Sequence, residues 1–158
     1  MAMTKKYWLM KTEPDVFSID DLKRDKTTLW EGVRNYQARN YMTNEMKVGD
    51  LALIYHSSTV PPGVAGIMEI SKAAAPDATQ FDKKSEYYDE KSTRENPRWH
   101  CVQGKFSKKF SHFVTLDQLK SHPALKNMLA LRKGNRLSIT PVTESEFNTI
   151  VASGESAR

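Results

Sequence analysis

The residue types that do chemistry are few in this chain and widely spaced. Its four histidines, His56, His100, His112 and His122, nowhere fall at metal-ligand spacing, and Cys101, the single cysteine, cannot build a thiolate zinc site. His100 and Cys101 are neighbours, so on a strand they point to opposite faces and make a poor base and nucleophile. Asp20 and Asp21 stand where a helix should start, and capping accounts for them. Gly63-Val-Ala-Gly66 lacks the strand–turn–helix setting of a phosphate loop. No catalytic residue, metal or cofactor is expected. What remains is a set of rings beside polar groups: Trp8 before Lys11-Thr12, Trp30 before Gly32-Val33-Arg34-Asn35, Tyr55 before His56-Ser57, and Trp99. Flat walls with a few amides, hydroxyls and backbone groups suit an unstacked nucleobase, because stacking contributes roughly 1–3 kcal/mol per base and edge hydrogen bonds select identity. Each ring taken singly also suits a core, so residue types leave both roles open.

The elements that must position these groups can be read from periodicity. Lys6–Lys11 is aromatic and apolar and reads as a buried strand, broken by Thr12-Glu13-Pro14. Ser18 reads as the cap of a short helix through Arg24, and Leu29-Trp30 as a short apolar piece. Asn35–Met46 reads as a helix ending near Gly49, with Tyr36 and Tyr41 as packing residues on its face and Asn35 as a candidate cap. Asp50–His56 is the strongest strand, and Val64–Ile70 should pair with it as an antiparallel unit, Gly63 and Gly66 marking a bulge or a close approach. Residues 76–98 read as a long polar loop. Trp99–Phe106 reads as a strand that could continue to Phe113. Thr115 should cap a helix over Leu116–Lys120, with a helical turn or two in Ala124–Leu131. Leu137–Val142 reads as a strand with an edge-type proline, and Thr143-Glu-Ser-Glu146 as the capping box of a last helix. About six short strands among short helices, without regular alternation, predict an α+β fold or a small mixed barrel, in one domain over residues 1–158.

Composition excludes several classes. No apolar run approaches the ~18 residues that cross a bilayer, and no apolar segment follows the basic amino terminus. A single cysteine suits a reducing compartment, so a cytoplasmic address is expected, with the nucleoid or nucleus as alternatives. The net charge is +5, unevenly placed: residues 1–79 hold 10 basic and 10 acidic groups, residues 80–158 hold 14 and 9. Residues 105–136 alone carry Lys105, Lys108, Lys109, Lys120, Lys126, Arg132, Lys133 and Arg136 against Asp117. Such a stretch is either a basic face for a polyanion or a solvated lysine-rich surface.

Longer blocks are more specific. YWLMKTEP (Tyr7–Pro14), WEGVRNYQARNYM (Trp30–Met42), LIYHSS (Leu53–Ser58), PPGVAGIMEI (Pro61–Ile70) and RLSITPV (Arg136–Val142) resemble an EVE domain in the order of that family. PDATQFD (Pro76–Asp82) and NPRWHCV (Asn96–Val102) extend the likeness to nearly the whole chain, with Ala124–Leu131 a weaker match. The resemblance implies a PUA-like fold, a mixed, barrel-like β-sheet flanked by short helices, related to the YTH readers of methylated adenine in RNA. It implies a non-enzymatic reader of a modified base in DNA or RNA: methylated or hydroxymethylated cytosine, or methylated adenine. Carried onto this chain, the pocket takes in Lys11, Thr12, Trp30, Gly32, Val33, Arg34, Asn35, Tyr55, His56, Ser57 and Trp99. Trp30 would be the stacking wall, similar to a cage tryptophan of the YTH relatives, with Val33 and Trp99 as further walls. Asn35, Ser57 and the backbone at Gly32 would read the base edge. Lys11, Arg34 and the basic groups Lys105, Lys108, Lys109, Lys126, Arg132, Lys133 and Arg136 would hold phosphate. Two rivals remain. One is an enzyme acting on a modified nucleobase or nucleotide, with His56 or Glu13 as acid or base; the other is a small-molecule or protein-interaction module using the same pocket.

Overall fold

In the computed structural model, residues 5–155 are described. Strand β1 (Tyr7–Thr12) lies parallel to β3 (Leu51–His56), pairing Lys11 with Tyr55 and Thr12 with His56. Parallel neighbours need a long crossover, and here it carries helix α1 (Ile19–Asp25), strand β2 (Thr27–Leu29) and helix α2 (Tyr36–Asn40). Strands β4 (Gly63–Pro76) and β5 (His100–Thr115) form a long antiparallel pair. Helix α3 (Leu116–Ser121), strand β6 (Ile139–Val142) and helix α4 (Glu144–Glu155) complete the order. The sheet runs β2-β5-β4-β3-β1-β6, mixed and not closed into a barrel. Its edges are the two shortest strands, and β6 carries Pro141 where a missing N–H costs no ladder bond.

Strand alternation divides the interior between the two faces. Trp8, Met10, Ala52 and Ile54 point to one face, under Ile19 and Leu22 of α1 and Ala38 of α2. Leu9, Leu53 and Tyr55 point to the other, under Leu119 of α3 and Phe147 and Ile150 of α4. Each fully buried aliphatic or aromatic side chain contributes roughly 1.5–3 kcal/mol, so both layers stabilise the sheet between them. Ser18, Thr115 and Thr143 cap their helices as expected, and the box expected at Thr143 with Glu146 is joined by two more, Ser18 with Asp21 and Thr115 with Gln118.

The differences from expectation have local causes. The helix expected over Asn35–Met46 forms but changes its winding: α2 runs to Asn40 and continues directly into a π turn over Tyr41–Glu45. Strands β4 and β5 outrun the expected ones, because register irregularities bend the pair and let polar residues continue it. The close approach at Gly66 is real, since a Cβ there would collide with the Lys108 carbonyl. Ala124–Leu131 contributes two short 3-10 turns, Pro123–Leu125 and Leu129–Leu131.

Candidate functional site

The carboxyl ends of the parallel β1–β3 pair bring together four of the expected pocket residues and then separate them. Thr12 and His56 face the α1 side, where Thr12 Oγ1 donates to the Phe17 carbonyl at 2.8 Å. His56 Nε2 accepts the Ile19 backbone N–H at 3.1 Å, which requires a neutral imidazole. Burial, the largest influence, pushes the His56 pKa down, as does Lys109, against the opposing effect of Asp20. Ser57 follows at the strand end, its N–H donating to the Thr12 carbonyl at 3.0 Å. Lys11 and Tyr55 face the other side, the Lys11 ammonium 5.6 Å from the Tyr55 ring centre.

On the α1 side, the segment after β2 is held by a buried carboxylate. The Trp30 backbone N–H donates to the Val102 carbonyl at 2.9 Å, and the residue is buried in the core cluster, 8% exposed. Gly32 has φ +86°, a conformation open to glycine, and a Cβ there would meet the Tyr87 ring at 2.6 Å. Asp77, wholly buried, accepts the Gly32 N–H at 2.8 Å, the Thr79 N–H at 2.8 Å and the Arg34 guanidinium at 3.2 Å. Burial alone would raise its pKa. Hydrogen bonds from the Thr79 hydroxyl, the Gly32 and Thr79 N–H groups and Arg34 outweigh it and hold the carboxyl below the usual range. Arg34 also donates to the Tyr87 carbonyl at 2.7 Å and to Thr79 Oγ1 at 3.0 Å, with its guanidinium 5.2 Å from the Trp99 ring and 5.5 Å from Tyr87. Arg34 is therefore a brace, fully engaged. Asn35 caps α2 through Oδ1, which accepts the Ala38 N–H at 3.0 Å.

Residues 77–99 are a tied strap. Gln80, buried, clasps Trp99 from both sides: its Nε2 donates to the Trp99 carbonyl at 2.8 Å and its Oε1 accepts the Trp99 N–H at 3.0 Å. The Trp99 indole N–H donates to Asp89 at 2.8 Å. Sequence reasoning passed over Asp77, Gln80, Tyr87 and Asp89 as polar loop residues. The signal available was Asp77-Ala-Thr79 directly after a strand, a spacing that favours an Asx-type turn.

The opposite face holds a cavity of about 290 Å³ between the ends of β1 and β3, α3 and the loop before β6. Lys11, Lys120, Arg132 and Lys133 line it with Tyr55 and Asn135, and no carboxylate does. Burial lowers the Lys11 pKa, as expected of an ammonium without a counter-charge. Other members of the basic stretch are already matched: Lys105 with Glu69 at 3.1 Å, Lys108 with Glu155 at 3.1 Å and Lys109 with Asp20 at 2.8 Å. Lys126 and Arg136 are exposed, and among the described residues no carboxylate lies within ion-pair distance of either.

The chain matches the family model of the EVE domain over residues 6–153. It is 44% identical to human thymocyte nuclear protein 1, an alignment covering 92% of the chain and 72% of that relative. The chain belongs to the EVE domain family. Two solved structures show how closely this EVE domain keeps the common PUA-like fold. A Leishmania major protein superposes with a TM-score of 0.91 at 47% identity, over 96% of this chain and 95% of that one. The human THYN1 protein, solved in complex with 5-methylcytosine-containing DNA, superposes with a TM-score of 0.90 at 42% identity, over 98% and 100%. An ASCH protein of Zymomonas mobilis, at 13% identity and a TM-score of 0.53, shares the fold alone.

The expected pocket of this EVE domain is thus divided. Trp30, Gly32, Val33, Arg34, Asn35 and Trp99 are joined through the Asp77 strap, with Thr12 and His56 on the same face; Lys11 and Tyr55 belong to the cavity behind it. Among the described residues no group of three His, Cys, Asp or Glu side chains could hold a metal, and no helix is long and apolar enough to cross a membrane. Burial, with Asp77 and Glu31, pushes the Cys101 thiol up to about 12, so it stays protonated and inert.

Proposed function

We propose that this EVE domain binds DNA carrying a modified cytosine of the 5-methylcytosine kind, with the base at the Trp30 face and the backbone at the basic cavity. One observation carries the reading. The human THYN1 protein, matched over 98% of this chain at 42% identity, is solved with 5-methylcytosine-containing DNA. The local chemistry agrees. Arg34 is neutralised by Asp77, so the Trp30 side offers an uncharged base an apolar surface rather than a field. Trp30 supplies the stacking ring and Val33 an apolar wall. Asn35 keeps its side-chain NH2, and Ser57 its hydroxyl, without a hydrogen-bond partner among the described residues, so both can read a base edge. Gly32 can offer only its carbonyl, because Asp77 takes its N–H. The two faces meet at the ends of β1 and β3, where Lys11 and Thr12 are adjacent, so one strand of DNA can engage both.

Binding without turnover is part of the proposal. Of the two groups that an enzyme could use as acid or base, His56 has Nε2 occupied by the Ile19 N–H, and Glu13 accepts the Ser58 hydroxyl at 3.2 Å. The nuclear name of the relatives favours the nuclear alternative over the cytoplasmic address expected from composition. Burying one methyl group contributes about 0.8 kcal/mol, so a pocket reading only the methyl prefers 5-methylcytosine about fourfold over cytosine. Titration of wild-type protein and Trp30→Leu against duplexes with 5-methylcytosine, 5-hydroxymethylcytosine or cytosine tests this, with methylated RNA as a parallel series. Leucine keeps the buried volume apolar and removes the stacking ring; the variant should stay folded by circular dichroism and lose the preference. Equal wild-type affinity for modified and unmodified DNA sinks the reading.

A further inference from the structure

The residue that the site description leaves unused is Tyr36. It opens α2 directly after the Asn35 cap, where a five-residue helix fixes its direction. The sequence places it among packing residues, yet it is 50% exposed. It is also rigidly seated: its ring lies 4.9 Å from that of Trp99 at an interplanar angle of 17°, whereas the other ring pairs among the described residues are tilted. Trp99 beneath it is fixed by Gln80 and Asp89, with the Arg34 guanidinium 5.2 Å from it. A continuous pile therefore runs from the Tyr87 ring against Gly32, through Arg34 and Trp99, to Tyr36 at the surface. The Arg39 guanidinium is 4.6 Å from Tyr36 and 5.9 Å from Trp99. Even with Arg39 over its ring and Trp99 stacked 4.9 Å away, Tyr36 keeps half of its surface exposed. Arg39 is held there by a bond to the Arg98 carbonyl at 2.8 Å.

We propose that Tyr36 is a second stacking platform, which takes the nucleobase next to the one held at Trp30 in the same strand. The inference rests on the DNA-binding reading above and adds a residue and a ligand group to it. A base drawn out of a duplex leaves its neighbour with an uncovered face, and a flat ring continuous with the pocket replaces the lost stack. The ring is already immobilised by Trp99, so stacking on it forfeits little side-chain freedom. Arg39 brings positive charge to the rim, where the flanking phosphate must pass, whereas the Arg98 guanidinium is paired with Asp89 at 3.9 Å.

The test is a double-mutant cycle by fluorescence anisotropy, using Tyr36→Ala and Tyr36→Phe with a 5-methylcytosine duplex that is intact or abasic at the neighbouring position. Tyr36→Ala should weaken binding roughly tenfold, the loss expected of one base stack, and Tyr36→Phe should bind like wild type. The abasic duplex should weaken wild type by the same factor and Tyr36→Ala no further. Tyr36→Ala should also keep the ratio between modified and unmodified DNA, which shows that the pocket is intact. Wild-type affinity in Tyr36→Ala, or losses that multiply in the cycle, overturn this inference and leave the DNA reading standing. No wild-type preference for modified DNA overturns both.

Discussion

The two faces of the sheet use positive charge in opposite ways. On the Trp30 face, Arg34 meets a wholly buried carboxylate, and its remaining N–H groups go to Tyr87 and Thr79. Its charge is cancelled, and what it supplies is position: the Tyr87 and Trp99 rings are held against it. On the other face, Lys11, Lys120, Arg132 and Lys133 converge on a cavity without a carboxylate in its lining. A cation matched inside the protein shapes the walls for a neutral base. A cation left unmatched raises the local potential and draws phosphate. On this division, base selectivity resides on one side of the sheet and the unmatched cation cluster on the other, joined at the ends of β1 and β3.

The largest effect should come from removing the match. Asp77→Ala would leave the Arg34 charge, the Gly32 N–H and the Thr79 N–H without their acceptor, and breaking such a buried pair costs about 3–5 kcal/mol. Urea unfolding at neutral pH measures the loss. The same carboxylate makes the loss depend on pH. Its pKa is lowered in the folded protein, so its stabilisation is complete above the ordinary aspartate value, about 3.9, and disappears as pH falls through the lowered folded one. The gap between wild type and variant should therefore close below about pH 4. A variant as stable as wild type at pH 7 would mean that Arg34 is not held by charge, and the contrast between the faces would collapse.

The next effect tests the other face. Replacing Lys11, Arg132 and Lys133 by glutamine should lower affinity for modified and unmodified duplexes alike. The slope of log affinity against log salt should flatten by about 0.9 for each residue that contacts a phosphate. Salt titrations of each single variant and of the triple variant measure this. A loss confined to the modified duplex would place base reading in the cavity and exchange the roles of the two faces.

Much of this arrangement was legible in the sequence. Short unbroken apolar runs marked β1 and β3, and Ser18, Thr115 and Thr143 marked helix starts, because both signals are local. The side-chain alternation of any strand already required Lys11 and Thr12 to face opposite sides, so their division between cavity and pocket followed once the strand was granted. What stayed hidden depends on partners distant in sequence. Asp77 finds Arg34 across 43 positions, and Gln80 finds Trp99 across 19, so residues 76–98 showed only polarity where the fold has a strap. The exposure of Tyr36 was equally hidden, since a five-residue helix followed by a π turn is too short for periodicity to assign a face.

The smallest effect is the sharpest discriminator between charge as composition and charge as geometry. Lys105, Lys108 and Lys109 belong to the most basic stretch of the chain, and by count they are expected to hold phosphate no less than Arg132 or Lys133. Each is instead paired with a carboxylate, within 3.1 Å in every case. For such a lysine to meet a phosphate it must first leave Glu69, Glu155 or Asp20, so the exchange gains little. Exposed pairs of this kind are worth about 0–1 kcal/mol each. The triple glutamine variant should accordingly lose at most a few degrees of thermal stability and keep the wild-type salt slope, measured in parallel with the cavity variants. A slope flattened as much as by Lys11, Arg132 and Lys133 would show that the paired lysines exchange their carboxylates for DNA, and that the basic surface, rather than the cavity, meets the backbone.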